Sequence, residues 1–344
     1  MLFIFLMIPG FVFCSSESTA GIKYYSLNLR KPEGNQHVHI LSIDLTKRKI
    51  IATLAGKSAG DRKPLSVICS NTHAIAGING TYFWKDYGPL GLFIVDHEII
   101  SAPILRRAAF GIADNNTIIW GNPVFKGQIE LERGKRSFYF DGINQFPGDG
   151  KIILFTQEFG KKTPAYKDCK EIIIINDRIW SISHGECYIP PGGYVLSAYG
   201  KSSHILDHVL LLEKVFIMAG LDFHWSLAKY AVGGGPRLLK NGKFIVSFIE
   251  EGFRKNIFLG RAPRTAIGET KNGKLIFIVV DGRQPVYSIG ATLEELAELL
   301  RNLGCVNAIN LDGGGSSTMY FNGKIMNRPS DGNERPINNA IIIK

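Results

Sequence analysis

Short apolar segments, each followed by a glycine-containing turn, run through most of this chain and constrain its fold more than any other feature. Residues 37–45 and 274–280 are two such segments, rich in Ile, Leu and Val. Asn241-Gly242, Asn272-Gly273 and Asn322-Gly323 lie between segments of this kind, and Asn-Gly is the dipeptide that tight hairpin turns prefer. The sequence therefore predicts a core made of many short β-strands joined by hairpins.

One segment has the spacing of an amphipathic helix. Residues 292–303 place apolar side chains on one face, with Thr292 as the N-cap, Glu295 three residues later and Gly304 just past the end. Weaker helical patterns occur at residues 203–214 and 223–231. Strands with a few helices predict a single compact α+β domain, with a mixed β-sheet core and glycine-rich loops at strand ends.

Composition excludes several classes of protein. The chain has 344 residues, of which 45% are hydrophobic and 20% charged, so it can bury a large core and is not intrinsically disordered. Its 38 glycines follow no collagen period. The formal charge of +10 favours an anionic partner. Neither a basic helix nor an RNA-binding aromatic motif accompanies that charge, so we expect no nucleic-acid partner.

The N-terminus resembles an export signal. Residues 1–14 are almost entirely apolar and are followed by small residues up to Ala20. This pattern predicts a signal peptide over residues 1–20 and a secreted protein, extracellular or periplasmic, with no stable membrane span after cleavage. An uncleaved N-terminus, or one lipidated at Cys14, is the alternative.

Four cysteines follow the signal segment: Cys69, Cys169, Cys187 and Cys305. Their spacing does not match a zinc site. Cys169 and Cys187 flank a predicted hairpin, so a disulfide across its base and a pair of free buried thiols are both compatible with the sequence.

Two triple-glycine segments are the first candidates for a functional site. One is Gly233-Gly234-Gly235-Pro236, and the other follows an apolar strand and reads Asp312-Gly313-Gly314-Gly315-Ser316-Ser317-Thr318. Glycines allow a backbone to approach a ligand closely, and their amides can surround an anion. Neither segment matches a phosphate-binding P-loop or a dinucleotide fingerprint. Tight structural turns are the alternative explanation.

Two aspartates each follow a strongly apolar strand. Asp281 precedes Gly282-Arg283, and Asp312 begins the second glycine loop. Two carboxylates at strand ends can flank a scissile glycosidic bond, one acting on the sugar carbon and the other on a proton. Asp-Gly is also a common turn, which is the simpler reading for Asp281 alone.

Five motifs occur in order along the chain: Asn79-Gly80-x-Tyr82-Phe83, Gly233-Gly234-Gly235-Pro236, Arg264-Thr265-Ala266-Ile267-Gly268, Asp281-Gly282-Arg283 and Asn310-Leu311-Asp312-Gly313-Gly314-Gly315-Ser316-Ser317-Thr318-Met319. Together they resemble the motifs of the phosphodiester glycosidase family. The resemblance covers residues 68–344, with residues 21–67 as an N-terminal β-rich segment of the same domain. The resemblance implies hydrolysis of a glycosyl phosphodiester, with an N-acetylhexosamine-like sugar released and the phosphate left on its carrier. The substrate would be a glycosyl phosphate or an anionic polysaccharide of the cell surface or surroundings.

The resemblance also implies roles for individual residues. Asp312, Asp281 and Arg264 would be catalytic, with the division of labour between the two carboxylates left open. The substrate-binding residues would be Asn79, Tyr82, Gly234, Gly235, Arg237, Arg283, Gly313, Gly314, Gly315, Ser316 and Ser317. No cofactor is required, and a divalent metal beside the phosphate is left open. The alternative function is a secreted polysaccharide-binding or assembly protein that retains the fold and does not hydrolyse.

Overall fold

The computed structural model describes residues 13–85, 87–133, 136–245 and 247–344. The fold is mostly β-sheet, with 46% of residues in strands and 11% in helices, so the predicted α+β class is wrong. The expected single compact domain is also wrong, because the chain divides into two compact units. Of the described residues, those within 13–53, 63–80 and 234–344 form the first unit, and those within 54–62 and 81–233 form the second.

The first unit is built on two sheets. One has eight strands in the order β1-β2-β3-β24-β23-β25-β21-β22, and the other has five in the order β27-β26-β5-β28-β4. These strands are β1 (Phe13–Thr19), β2 (Ile22–Lys31), β3 (Gly34–Ile43), β4 (Ile50–Leu54), β5 (Ala76–Asn79), β21 (Arg237–Lys240), β22 (Lys243–Phe244), β23 (Arg264–Thr270), β24 (Leu275–Val280), β25 (Cys305–Asn310), β26 (Met319–Phe321), β27 (Lys324–Ile325) and β28 (Asn339–Ile343).

The second unit contains the remaining described strands. They form sheets in the orders β11-β10-β20-β8-β9, β13-β12-β19, β14-β15-β18-β16-β17 and β6-β7. Their bounds are β6 (Phe83–Trp84), β7 (Gly88–Pro89), β8 (Phe93–Val95), β9 (Glu98–Ser101), β10 (Ala109–Ala113), β11 (Ile118–Gly121), β12 (Phe125–Leu131), β13 (Arg136–Phe140), β14 (Gly142–Ile143), β15 (Ile152–Phe155), β16 (Cys169–Ile175), β17 (Arg178–His184), β18 (Gly193–Tyr199), β19 (Val215–Leu221) and β20 (Ala228–Gly233).

The predicted amphipathic helix is confirmed as α3 (Leu293–Asn302). Thr292 is its N-cap, and the Thr292 and Glu295 side chains form the reciprocal hydrogen bonds of a capping box. Its apolar face, including Leu296 and Leu300, packs on the eight-stranded sheet. The other α-helices of the described residues are α1 (Leu65–Thr72) and α2 (Lys255–Leu259).

The two weaker helix predictions are wrong in most of their length. Residues 200–206 form a 3₁₀ helix, and residues 225–227 form another before the chain enters β20. Strand β20 pairs with β10 and β8, so sheet pairing overrides the local helical pattern there. The three Asn-Gly turns are confirmed as links between β21 and β22, between β23 and β24, and between β26 and β27.

The predicted signal peptide lies partly outside the described residues, since residues 1–12 are not among them. Residues 13–19 form β1, which pairs with β2 at the edge of the eight-stranded sheet. Among the helices that the structure describes, none has the length and apolar character needed to cross a membrane.

Candidate active site

The three predicted catalytic residues lie at the same end of three adjacent strands of the eight-stranded sheet. Strand β23 is antiparallel to both of its neighbours, β24 and β25, so those two strands run parallel to each other. Asp281 follows the last residue of β24, Arg264 is the first residue of β23, and Asp312 comes two residues after β25. Because adjacent strands lie about 4.8 Å apart, the ends of β24 and β25 are separated by roughly 10 Å.

Asp312 has the environment of a reactive carboxylate. Its Oδ1 accepts a hydrogen bond of 2.9 Å from the Gly313 amide. Burial raises the pKa of the Asp312 carboxyl to about 6, although the Ser316 hydroxyl, the Gly313 amide and the positive charge of Arg335 each lower it. A carboxyl group with a pKa near 6 exchanges its proton close to neutral pH, which suits catalysis.

The loop after Asp312 uses several of its amides internally. The Gly314 amide donates to the Pro263 carbonyl at 2.8 Å, and the Ser316 amide donates to the Gly313 carbonyl at 3.3 Å. Two of the amides predicted to surround an anion, those of Gly314 and Ser316, therefore already have acceptors within the protein. By contrast, the hydroxyls of Ser317 and Thr318 are buried and have no hydrogen-bond partner among the described residues. Buried hydroxyls without a partner are rare and mark places where a ligand or water completes the bonding.

Two arginine side chains lie against the triple glycine. A Cβ atom placed on Gly314 would lie 3.0 Å from an Nη atom of Arg283, and one placed on Gly315 would lie 2.2 Å from an Nη atom of Arg335. Both contacts are with the far ends of flexible side chains, so an added Cβ would displace the guanidinium groups, and Gly314 also has a positive φ of +62°, which favours glycine. Arg283 is exposed and forms no salt bridge within the part of the chain that the structure describes. Arg335 is paired with Asp331 at 2.7 Å and is 41% exposed.

Asp281 is 1% exposed, and both of its carboxylate oxygens accept hydrogen bonds. Its carboxylate accepts hydrogen bonds from the Tyr287 hydroxyl at 3.1 Å, the Asn327 side chain at 3.1 Å and the Arg328 amide at 3.0 and 3.1 Å, and His39 Nε2 lies 3.1 Å from its Oδ2. Asn327 also donates to the Ser317 carbonyl at 3.0 Å and accepts from the Met319 amide at 2.8 Å. Asp281 is thus connected through Asn327 to the loop that carries Asp312.

The two other predicted arginines are held by the protein itself. Arg264 is 5% exposed and donates to the carbonyls of Ala291, Ile257 and Gly260 at 2.9, 2.8 and 2.6 Å. Arg237 is 8% exposed, and its backbone amide donates to the buried carboxylate of Glu251 at 2.8 Å. Burial lowers the pKa of the Arg237 guanidinium, and the Glu251 charge opposes that effect. The Arg237 Nε donates to the Leu239 carbonyl at 3.3 Å, so both guanidinium groups have acceptors within the protein.

Asn79 is also engaged in internal contacts. Its side chain donates to the Asp312 carbonyl at 2.7 Å and accepts from the Thr265 hydroxyl at 2.8 Å and the Thr318 amide at 3.1 Å. It therefore fixes the Asp312 backbone on the five-stranded sheet through β5. Tyr82, the other predicted binding residue of this motif, belongs to the second unit, where the Arg107 guanidinium lies 5.5 Å from its ring centroid.

The glycines of the first triple-glycine segment are required by packing. A Cβ on Gly234 would lie 2.4 Å from the Asn310 carbonyl oxygen, and Gly235, at φ +112°, would clash with Glu251 and Phe253. Close approach to β25 therefore explains these residues without a ligand.

Sequence reasoning missed Arg335 and its partner Asp331. No strand or glycine motif precedes them, and the only local signal is an Asp-Gly turn four residues before an Arg-Pro pair. Among the described residues, no group of three or more His, Cys, Asp or Glu side chains is arranged to hold a metal ion.

Comparison with known proteins gives three kinds of match. The family model for phosphodiester glycosidases matches residues 170–344. A prophage-derived protein of Bacillus subtilis, YomE, is 44% identical over 81 residues, which is 24% of this chain and 12% of that protein. The mouse enzyme N-acetylglucosamine-1-phosphodiester alpha-N-acetylglucosaminidase is 48% identical over 70 residues, or 20% of this chain and 13% of the enzyme. The chain thus matches only about an eighth of the length of these curated relatives.

The fold has a close counterpart among solved structures. A hypothetical protein from Synechocystis superposes with a TM-score of 0.86 at 23% identity, over 94% of this chain and 62% of that one. At this identity the likeness concerns the fold.

Proposed function

Because the chain belongs to the phosphodiester glycosidase family, we propose that it hydrolyses the bond between a sugar and a phosphodiester. One observation carries the proposal: Asp312, with its pKa near 6, begins a triple-glycine loop against which the guanidinium groups of Arg283 and Arg335 lie. Arginine is well suited to binding phosphate because its planar group offers several donors at once. A carboxylate beside two such groups is the arrangement that a glycosyl phosphate needs.

In the proposed reaction the arginines and Asp312 have different roles. A phosphate monoester leaves more easily than an alkoxide, and the two arginines would stabilise the charge that develops on it. The demand for a strong general acid is therefore small. The useful form of Asp312 is the ionised one, which can stabilise or attack the anomeric carbon as positive charge develops there. We expect turnover to increase as the pH rises through about 6, the pKa of Asp312.

Asp281 has a positioning role in this proposal. Its oxygens already accept bonds from Tyr287, Asn327 and the Arg328 amide, so it holds the loop that carries Asp312 without contacting substrate. Asp281→Asn would disturb both KM and kcat, and would lower the protein's stability. Asp312→Asn would instead lower kcat by roughly a thousand-fold or more, and the protein would stay folded.

The test is release of reducing sugar from UDP-N-acetylglucosamine and from the methyl phosphodiester of N-acetylglucosamine 1-phosphate. Asp177→Asn is a matched control, because Asp177 is exposed and lies in the turn between β16 and β17. Loss of turnover in Asp312→Asn, with full turnover in the control, supports the proposal. If folded wild-type protein hydrolyses no member of a broad panel of glycosyl phosphodiesters and binds anionic polysaccharide tightly, the non-hydrolysing alternative is correct.

We further propose that the protein is exported and acts on a polysaccharide outside the cytoplasm. The apolar segment of residues 1–14 and the net charge of +10 support this. Cleavage after Ala20 would remove β1, which is an edge strand, and would leave the other seven strands of its sheet paired. Mass measurement of the protein recovered from its native compartment tests cleavage, because an intact N-terminus there contradicts it.

A further inference from the structure

Two of the cysteines lie in one buried cluster of the second unit. Cys169 begins β16 and is 5% exposed, and Cys187 follows β17 by three residues and is half-buried. Cys187 packs against the apolar cluster that contains Cys169, Ile189 and Tyr199. The proposed catalytic residue Asp312 belongs to the first unit, and neither thiol has a part in the chemistry above.

A buried carboxylate accompanies the two thiols. Glu171 is fully buried, and its Oε1 accepts a hydrogen bond of 2.6 Å from the Ser197 hydroxyl, whereas its Oε2 has no partner among the described residues. The Tyr199 hydroxyl, also fully buried, likewise has none in that part of the chain. Burial and the Glu171 carboxylate raise the pKa of both thiols, that of Cys169 to about 12. Glu171 follows Cys169 by two residues on β16, so the two side chains lie on the same face of that strand.

The backbone holds both cysteines in place from two sides. The Gly185 amide donates to the Cys169 carbonyl at 3.2 Å, which continues the pairing of β16 with β17 beyond their ends. The Cys187 amide donates to the Thr163 hydroxyl at 3.0 Å, and the Thr163 amide donates to the Cys187 carbonyl at 2.9 Å. The thiols are thus held at the open end of the β16–β17 hairpin: Lys170 pairs with His184, so Cys169 lies opposite Gly185 and Cys187 follows two residues further along. A bond between the two thiols would close the hairpin.

We propose that Cys169 and Cys187 are an oxidisable pair that forms a disulfide across the base of this hairpin. The oxidant is a disulfide of the glutathione class. The half-buried Cys187 thiolate attacks it first and releases one glutathione, leaving a mixed disulfide. Cys169 then displaces the second glutathione, while its proton passes through the Glu171 carboxylate to the departing thiolate. Two protein thiols are oxidised, one glutathione disulfide is reduced to two thiols, and protons balance.

The reaction is expected to be slow at neutral pH and faster at pH 8 to 9, because the thiolate is the attacking species. Once formed, the bond closes a loop of about 19 residues in the unfolded chain. A closure of that size raises the unfolding temperature of a domain this large by roughly 5 to 10 °C.

The test treats the full chain with oxidised glutathione at pH 8.5, then denatures it without reductant and labels it with N-ethylmaleimide. Mass spectrometry is expected to show two fewer adducts than in reduced protein, and a linked peptide pair containing Cys169 and Cys187. Cys69→Ala is the matched control and should lose the same two adducts, because Cys69 is buried in the first unit.

The variants decide the pairing. Cys187→Ser, at the half-buried position, is expected to keep all its remaining thiols available to the label and to show no change in unfolding temperature with dithiothreitol. Full labelling of oxidised wild type, or protection that persists in Cys187→Ser, overturns the proposal. If Cys169→Ser does not fold, the peptide map of the wild type gives the same decision.

Discussion

The Asp312 carboxylate connects the chemistry of the proposed site to the stability of the fold. Replacing it with asparagine removes the charge, and the amide oxygen can still accept the 2.9 Å hydrogen bond from Gly313. We predict that Asp312→Asn is inactive and, above pH 6, more stable than the wild type. Loss of activity together with a gain in stability is expected when a catalytic residue destabilises the fold in its ionised form.

The magnitude follows from the pKa. In the folded protein burial raises the pKa of Asp312 from 3.8 to about 6. That gap corresponds to about 3 kcal/mol of preference for the protonated form. Because the pKa of Asp312 is higher in the folded than in the unfolded protein, protonated Asp312 stabilises the fold. This stabilisation is fully present below about pH 4 and is lost as the pH rises through 6. The asparagine variant keeps its stability over that range, so the difference grows from near zero at pH 4 to about 2 or 3 kcal/mol at pH 8.

Scanning calorimetry at pH 4.5 and pH 8 measures the effect. We expect Asp312→Asn to unfold at a temperature roughly 4 to 8 °C above that of the wild type at pH 8, and within about 2 °C of it at pH 4.5. Asp177→Asn makes the same chemical change at an exposed position and should leave both temperatures unchanged. Equal unfolding temperatures at pH 8, or a difference that does not depend on pH, would refute the reasoning.

Three further predictions concern the site, the helix and the core. Arg283→Ala is expected to raise KM for glycosyl phosphodiesters by roughly 10- to 100-fold, and Arg283→Lys to recover part of the loss; an unchanged KM removes Arg283 from phosphate binding. Burial raises the pKa of Glu295, but its hydrogen bonds with Arg261, Lys31 and the Thr292 amide lower it to about 2 overall. Glu295→Gln should therefore cost about 2 to 3 kcal/mol of unfolding free energy at pH 7 by urea titration, and the cost should fade as the pH drops from 4.5 towards 2, whereas the exposed Glu298→Gln should show neither effect. Leu300→Ala, at a fully buried position, should lower the unfolding free energy by about 2 to 5 kcal/mol, and a loss below 1 kcal/mol contradicts the packing of α3.

Local signals were sufficient where local interactions determine the structure. Helix α3 was predicted with its cap and its apolar face because a capping box and a 3.6-residue period act within one segment. The Asn-Gly turns were predicted for the same reason. The fold class was not, because residues 223–231 have a helical pattern and still enter β20, whose hydrogen bonds go to distant β10 and β8. Partners that far away in sequence leave no local trace.

The candidate site shows the same limit. The sequence places Asp281 and Asp312 at the ends of two apolar strands. In the structure β23 lies between these strands and is antiparallel to both, so the two aspartates lie at the same end of the sheet. The order of strands in a sheet depends on pairings across the whole first unit, so the sequence predicts which residues lie at strand ends without predicting which ends meet. Arg335 belongs to a loop whose sequence has no periodic pattern. Its guanidinium group lies beside Gly315 only in the folded chain, so the sequence could not identify it.

The two Asp-Gly motifs separate local pattern from chemical role. Asp281 and Asp312 each follow an apolar strand and precede glycine, so the sequence describes them alike. Their surroundings differ: Asp281 accepts bonds from Tyr287, Asn327 and the Arg328 amide, whereas the Gly313 amide, the Ser316 hydroxyl and the Arg335 charge favour the ionised form of Asp312 without offsetting the burial that raises its pKa to about 6. A carboxylate whose oxygens are all bonded has little capacity left for substrate, whereas one whose pKa lies near neutrality can exchange a proton at working pH. The division of labour that we propose therefore depends in part on Asn327 and the Arg328 amide, which lie 46 and 47 residues from Asp281 in the sequence.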